Sequence, residues 1–259
     1  MNAKLHAIFV VAGWRLLLEA GRDMHAPCAL LASSSVRKMA LDMRGCAVFT
    51  DAVAALLAES LPTTLEEVRF ECGQPDSPDI AMTLIGGRAL LDGVFSRVTL
   101  SSLRILEMSD CMLSGALPDA IGECVALEQL TLAGNQLSGR IPEAIGQCAR
   151  LRGLRMQNNE LSGPLPARLG ECAHLEVVRL NNNALTGAIP DTWGTCAALQ
   201  ELRLHSNALV GLVPASLDAC TLLTELQVDD ALQLRGLPDR LQERVDAGGL
   251  KLNMPRGNS

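Results

Sequence analysis

From Leu103 onward the apolar residues of this 259-residue chain recur with a period of 24. Residues 127–150 read LEQLTLAGNQLSGRIPEAIGQCAR, and residues 151–174 read LRGLRMQNNELSGPLPARLGECAH. Leu103, Leu127, Leu151, Leu175, Leu199 and Leu223 share one phase; Gly115, Gly139, Gly163, Gly187 and Gly211 share another. Pro118 to Pro238, Asn135 to Asn207 and Cys124 to Cys220 supply three more columns at the same spacing. Each unit opens Leu-x-x-Leu-x-Leu, with apolar residues two apart, the period of a strand that buries one face. A strand this short cannot bury that face alone, so it stacks on its neighbours at about 4.8 Å. The Asn turns the chain, its amide satisfying backbone groups that a tight corner leaves unpaired. Gly supplies conformational freedom, and Pro keeps the return segment from becoming an α-helix. Ile121, Ile145, Leu169, Trp193 and Leu217 form an inward column on the return side, so Trp193 is expected as core filler.

The flanks follow other patterns. Leu41 and Met43 recur as Val68 and Phe70, a shift of 27, and FTDAVAALLAESL between them predicts an amphipathic helix begun by a Thr/Asp cap. DIAMTLIGGRALLDGVF (79–95) predicts a second helical return. Residues 1–35 are too short in apolar run for a membrane span, and a helical cap over the first strand is expected there, with a cleaved targeting segment as the alternative. At the other end, PDRLQERVDAGG (238–249) predicts a short helix closed by glycine. LKLN (250–253) keeps the phase of Leu226 and Val228 and predicts a last strand stub.

The LSGxIPxxIGxC phrasing, as in Leu137 to Cys148, resembles the plant-type leucine-rich repeat of receptor ectodomains and polygalacturonase-inhibiting proteins. The more N-terminal units, with Cys46 in a corner position and helical returns, resemble ribonuclease-inhibitor-like repeats. The resemblance implies an α/β leucine-rich-repeat solenoid with a parallel β-sheet on its concave face. Helical returns are expected N-terminally and extended or 3-10 returns in the regular repeats. It divides the chain into a terminal segment (1–35), irregular repeats (36–102), plant-type repeats (103–246) and a strand stub with tail (247–259). It also implies a recognition scaffold whose variable strand residues meet a partner.

Composition narrows the function classes. The net charge is −7, spread rather than blocked, so nothing marks a nucleic-acid or membrane surface. Five of the nine cysteines stand in a buried column as small apolar residues, and there are no paired cysteine caps and no N-x-S/T sequon. A reducing compartment is therefore expected: the cytoplasm, with an organelle interior or secretion as alternatives. No Cys-x-x-Cys pair, phosphate-cradling glycine loop or nucleophile elbow is present, so neither enzyme, metal site nor cofactor is expected. His25 and Cys28 are the one candidate metal pair, and they are more simply ordinary side chains.

The outward strand positions are the candidate binding surface for a protein partner. One column runs Glu107, Thr131, Arg155, Arg179, Arg203, Gln227, Lys251. The next runs Ser109, Ala133, Gln157, Asn181, His205, Asp229, and a third Asp110, Gly134, Asn158, Asn182, Ser206, Asp230. Three arginines on adjacent strands are locally unfavourable. Either Glu201 and Glu225 neutralise Arg179 and Arg203 diagonally as a solvated ladder, or the arginines form a patch for an acidic or anionic segment. In the second reading Gln157, Asn158, Asn181, Asn182 and His205 join the arginines. The acidic residues at both ends, Glu107 and Asp110, Asp229 and Asp230, are expected to set the partner's register.

Overall fold

The computed structural model describes residues 6–11, 14–19, 37–42, 61, 63–71, 91, 94–95, 100–229 and 237–253. The first strands are β1 (His6–Val11), β2 (Trp14–Glu19), β3 (Lys38–Asp42), β4 (Glu67–Glu71) and β5 (Ile105–Ser109). In the regular units two strands alternate. Concave strands are β7 (Gln129–Thr131), β9 (Gly153–Arg155), β11 (Val177–Arg179), β13 (Glu201–Arg203) and β15 (Glu225–Gln227). Lateral strands are β6 (Ser114–Gly115), β8 (Gln136–Gly139), β10 (Glu160–Pro164), β12 (Ala184–Gly187) and β14 (Ala208–Leu209). Helix α1 (Asp239–Asp246) and strand β16 (Lys251–Asn253) close the described part. The large sheet is ordered β16-β15-β13-β11-β9-β7-β5-β4-β3-β1-β2, parallel from β3 to β16. The lateral strands make a second parallel sheet. This is the solenoid that the repeat pattern predicts.

Each regular return is a 3-10 turn set between the proline and cysteine columns: Asp119–Glu123, Glu143–Gln147, Ala167–Glu171, Asp191–Thr195 and Ala215–Ala219. Proline fixes an extended φ just before the turn, near −70° at Pro118 and Pro190. The turns stack closely because a glycine follows the inward residue in the first four of them, Leu217 of the fifth being followed by Asp218. A methyl group on Gly146, Gly170 or Gly194 would overlap the backbone carbonyl of Arg168, Thr192 or Ser216 in the next turn.

The interior is a set of aliphatic ladders, with Leu130, Leu154, Val178, Leu202 and Leu226 all fully buried. Trp193 is 1% exposed, and its indole Nε1 donates to the Pro166 carbonyl at 2.9 Å, so it fills the core as expected. The asparagine column ties successive units together. Asn183 Nδ2 donates to the carbonyls of Met156 and Leu180, each at 3.0 Å, and its Oδ1 accepts the Leu161 amide at 3.0 Å. Asn135, Asn159 and Asn207 repeat this pattern. Cys124, Cys148, Cys172, Cys196 and Cys220 are buried free thiols. Cys148 Sγ donates to the Ile121 carbonyl at 3.2 Å, and burial pushes the thiols of Cys124, Cys148, Cys172 and Cys196 up to about 12.

Several expectations change. Residues 6–11 and 14–19 form an antiparallel hairpin rather than a helical cap, and β1 also pairs antiparallel with β3. The β-branched and aromatic run HAIFVV, broken by Gly13, suits strands better than a helix. Leu41 stands opposite Phe70 and Met39 opposite Val68, a register two residues from that read off the sequence. The same slip occurs at the far end: Lys251 pairs with Glu225 and Asn253 with Gln227, so Lys251 leaves the arginine column. A helical return advances only about 1.5 Å per residue against about 3.3 Å when extended, so α1 needs extra residues to span the same distance. Cys111 is disulfide-bonded, against the expectation of a wholly reduced set. Leu91, Val94 and Phe95 are helical and buried, while the rest of the two expected helical returns, His25, Cys28 and Cys46 lie outside the described residues.

Candidate functional site

The concave face is built by parallel strands only three residues long in each regular unit, so its side chains stand in columns one strand apart. Arg155 pairs in register with Arg179, and Arg179 with Arg203. The next column follows the same ladder: the Gly134 amide donates to the Gln157 carbonyl, Asn158 to Asn181, and Asn182 to His205. The structure therefore brings the arginines, Gln157, Asn181 and His205 onto one surface.

The three arginines are not equivalent. Arg179 grips Glu201 with two hydrogen bonds, Nε to Oε1 at 2.8 Å and Nη2 to Oε2 at 2.9 Å. Arg203 contacts the same Glu201 and also Glu225, at 3.2 Å. The diagonal neutralisation thus holds for these two. Hydrogen bonding to Glu201 raises the Arg179 pKa above its ordinary value. Arg155 has no carboxylate within 4.0 Å among the described residues; its Nη1 donates to Gln129 Oε1 at 2.8 Å. Burial, and secondarily the Arg179 charge, lowers the Arg155 pKa from its ordinary value.

Two residues absent from the predicted columns shape this spot. Gln129 and Gly153 belong to the first outward strand position, in register with Ile105, Val177, Glu201 and Glu225. Gly153 lets the Gln129–Arg155 bond pass over it, because a methyl group there would collide with both side chains. A glycine in an otherwise side-chain-bearing column was the available signal. Beside Arg155, Gln157 Oε1 is buried and has no hydrogen-bond donor among the described residues.

The third column has a backbone role instead. Asp110, Asn158, Asn182 and Ser206 have φ between 53° and 58°, and Gly134 has φ of 66°. That left-handed position favours Asn, Asp and Gly, which accounts for their recurrence there. Asn182 Nδ2 donates to Asn158 Oδ1 at 2.7 Å on the exposed edge. Asn181 is 9% exposed, and His205 Nδ1 lies 3.2 Å from Ser206 Oγ. Desolvation lowers the His205 pKa. The flanking acids are engaged: Asp229 accepts the amides of Ser206 and Asn207, at 2.7 and 3.1 Å, and Glu107 pairs with Arg69 at 2.8 Å. Asp230 lies outside the described residues. One step further toward the rim, opposite charges pair across adjacent units as Arg104–Glu128 and Arg152–Glu176. No helix among the described residues is long and apolar enough to cross a membrane.

The Leucine Rich Repeat family profile matches residues 102–124, 126–148 and 174–196. No curated protein matches the chain. Among solved structures, the chain is similar to the BIR2 ectodomain from Arabidopsis thaliana, with 35% identity over 43% of this chain and 58% of that one, TM-score 0.41. It is also similar to the Arabidopsis receptor kinase HAESA, solved with the peptide hormone IDA and the co-receptor SERK1. There the identity is 28% over 68% of this chain and 28% of that one, TM-score 0.51. The plant peptide hormone receptor RGFR1, in complex with RGF2, matches at 21% identity over 79% of this chain and 38% of that one, TM-score 0.53. The chain spans less than two thirds of the length of each of these structures.

Proposed function

We propose that this chain, a plant-type leucine-rich-repeat solenoid, is a non-catalytic recognition module of the cell surface or exterior that binds a protein or peptide segment on its concave face. The observation that carries the reading is the row of Arg155, Arg179 and Arg203 on adjacent strands, with Gln157, Asn181 and His205 beside them. Short parallel strands on a packed core hold these side chains in fixed columns, which lowers the ordering cost of binding. Arg155 has no carboxylate within 4.0 Å among the described residues, so the partner segment is acidic or otherwise anionic. The exposed Asn158 and Asn182 edge it.

One observation of the structure favours the exterior over the cytoplasm expected from the placement of the cysteines. Cys111 is disulfide-bonded, and structural disulfides persist in oxidising compartments. The five column thiols are compatible with that setting, because burial keeps them protonated and unreactive. HAESA, at 28% identity, is a receptor kinase solved with a peptide hormone, and peptide binding is proposed here by that likeness.

The test is selection of random dodecapeptides on the immobilised chain, followed by binding measurements on a folded Arg155→Glu/Arg179→Glu/Arg203→Glu variant. Enriched peptides that lose more than about tenfold in affinity on the variant support the reading. Unchanged binding overturns the assignment to this face.

A further inference from the structure

We infer that, on the recognition reading above, one position of the concave face selects an acidic side chain of an extended peptide segment, that Arg155 is its reader, and that Val177 and Gly153 make it so. Arg179 finds its carboxylate one strand on and one outward position back, at Glu201. Arg203 finds Glu225 by the same diagonal step. For Arg155 that step lands on Val177, which carries no charge. The guanidinium therefore turns the other way, across the bare Gly153, to the neutral Gln129 oxygen.

One of its five N–H groups is used in that bond, and the planar fork suits a carboxylate. A half-buried cation with no carboxylate within 4.0 Å among the described residues, and only the more distant charges of Glu201 and Glu107 to offset its burial, gains most from an external one. Arg179 and Arg203 would have to surrender Glu201 or Glu225 to do the same. Next along β9's line, Gln157 Oε1 is a buried acceptor without a donor among the described residues. Successive outward positions on a strand lie roughly 7 Å apart, the reach from an acidic side chain to a neighbouring backbone N–H. The ligand chemistry is thus a carboxylate for Arg155 beside an N–H for Gln157. Columns continue on both sides of Arg155, toward Thr131 and Glu107 and toward Arg179 and Arg203, so a segment crosses it mid-length and presents a side chain.

The test measures fluorescence polarisation of the tightest fluorescein-labelled dodecapeptide from the selection. That peptide is expected to carry an Asp or Glu whose replacement by Asn or Gln weakens binding by about tenfold to a hundredfold. Amidating its C-terminus is expected to change affinity less than about twofold. Arg155→Ala should cost as much as the peptide change, and the two losses should not add. Val177→Glu, which keeps Arg155 but hands it an internal carboxylate, should weaken binding similarly, while Arg179→Ala does so less. Circular dichroism checks that each variant is folded. Selected peptides that bind equally well without their acid, or folded Val177→Glu with undiminished affinity, overturn the inference while leaving the recognition reading standing. Loss on amidation alone overturns the side-chain assignment. A selection that enriches no peptide overturns the recognition reading, and this inference with it.

Discussion

Replacing Asn183 by Ala removes three hydrogen bonds of 3.0 Å at once, Nδ2 to the carbonyls of Met156 and Leu180 and the Leu161 amide to Oδ1, along with a longer one from Nδ2 to the Asn181 carbonyl at 3.4 Å. Two of these cross from one repeat to the one before it. Each is worth roughly 1 kcal/mol net, and stranding a buried backbone group costs more than the bond returned. Asn183 is half-buried, so water reaches part of the gap, and the expected loss is about 3 kcal/mol. Urea unfolding followed by circular dichroism measures the total. Hydrogen exchange at the Leu161 amide isolates the inter-repeat bond, because that amide loses its acceptor. Asn183→Asp separates acceptor from donor. It keeps the bond from Leu161 but aims a carboxylate at two carbonyl oxygens, which raises the native pKa of the new acid. A raised folded pKa means that its stability contribution is present below the unfolded value, near 4, and is lost as pH rises through the folded one. The variant should therefore close part of its deficit against the parent when pH falls from 7 to 4. A loss under about 1 kcal/mol for Asn183→Ala, or unchanged protection at Leu161, refutes the view that this ladder joins the repeats.

Gly170→Ala should destabilise by about 1–3 kcal/mol, since its methyl overlaps the Thr192 carbonyl; Gly249→Ala, whose nearest atom is 3.7 Å away, is the control in the same unfolding assay. The thiols of Cys124, Cys148, Cys172, Cys196 and Cys220 should resist a disulfide-exchange reagent at pH 8 in the native protein and react after unfolding. Their pKa values are raised on folding, to about 12 against 9.0 for the first four, so the stability they confer is complete below pH 9 and lost as pH climbs toward 12. A wild-type protein whose unfolding midpoint falls no faster than that of Cys148→Ala across this range would contradict the assignment. Glu201→Gln frees Arg179 and Arg203 from their shared carboxylate; calorimetry should show under about 1 kcal/mol of stability change and tighter binding of peptides with a second acid.

What the sequence revealed followed the strictness of its period. In the 24-residue units every column means one backbone position, so the Asn corner, the buried Cys and Trp193 could be placed before any coordinates. Where the return became helical the period stretched, and a count by 24 or 27 put Lys251 and Leu41 two residues out of register. The N-terminal hairpin was missed because HAIFVV and WRLLLE carry no repeat signal, and their apolar runs fit a buried helix segment as well as a strand. At the site, the three arginines were visible as a column, and the diagonal pairing of Arg179 and Arg203 with Glu201 and Glu225 as one of two readings. What was not visible was that Arg155 differs from them by turning across Gly153 to Gln129. That difference depends on a diagonal: which residue stands at 177, 201 and 225.

The framework and the reading surface are largely separate groups of residues. Asn183, Cys172 and Gly170 act inward or along the returns, through bonds and contacts that do not involve the arginine column. Arg155, Gln129 and Val177 act on the outer face of strands whose inner residues, Leu154 and Val178, already fill the core. Substitutions in one group should then add to those in the other where the sites share no partner. Within the face the opposite holds. Glu201 serves two arginines, and Gly153 governs a bond between its neighbours, so outward substitutions there couple strongly. A glutamate placed at 177 would extend the Glu201–Glu225 row by one strand and leave no arginine of the three without a carboxylate. Among the described residues, which of the three arginines is left without a carboxylate is therefore set by where that row of glutamates stops.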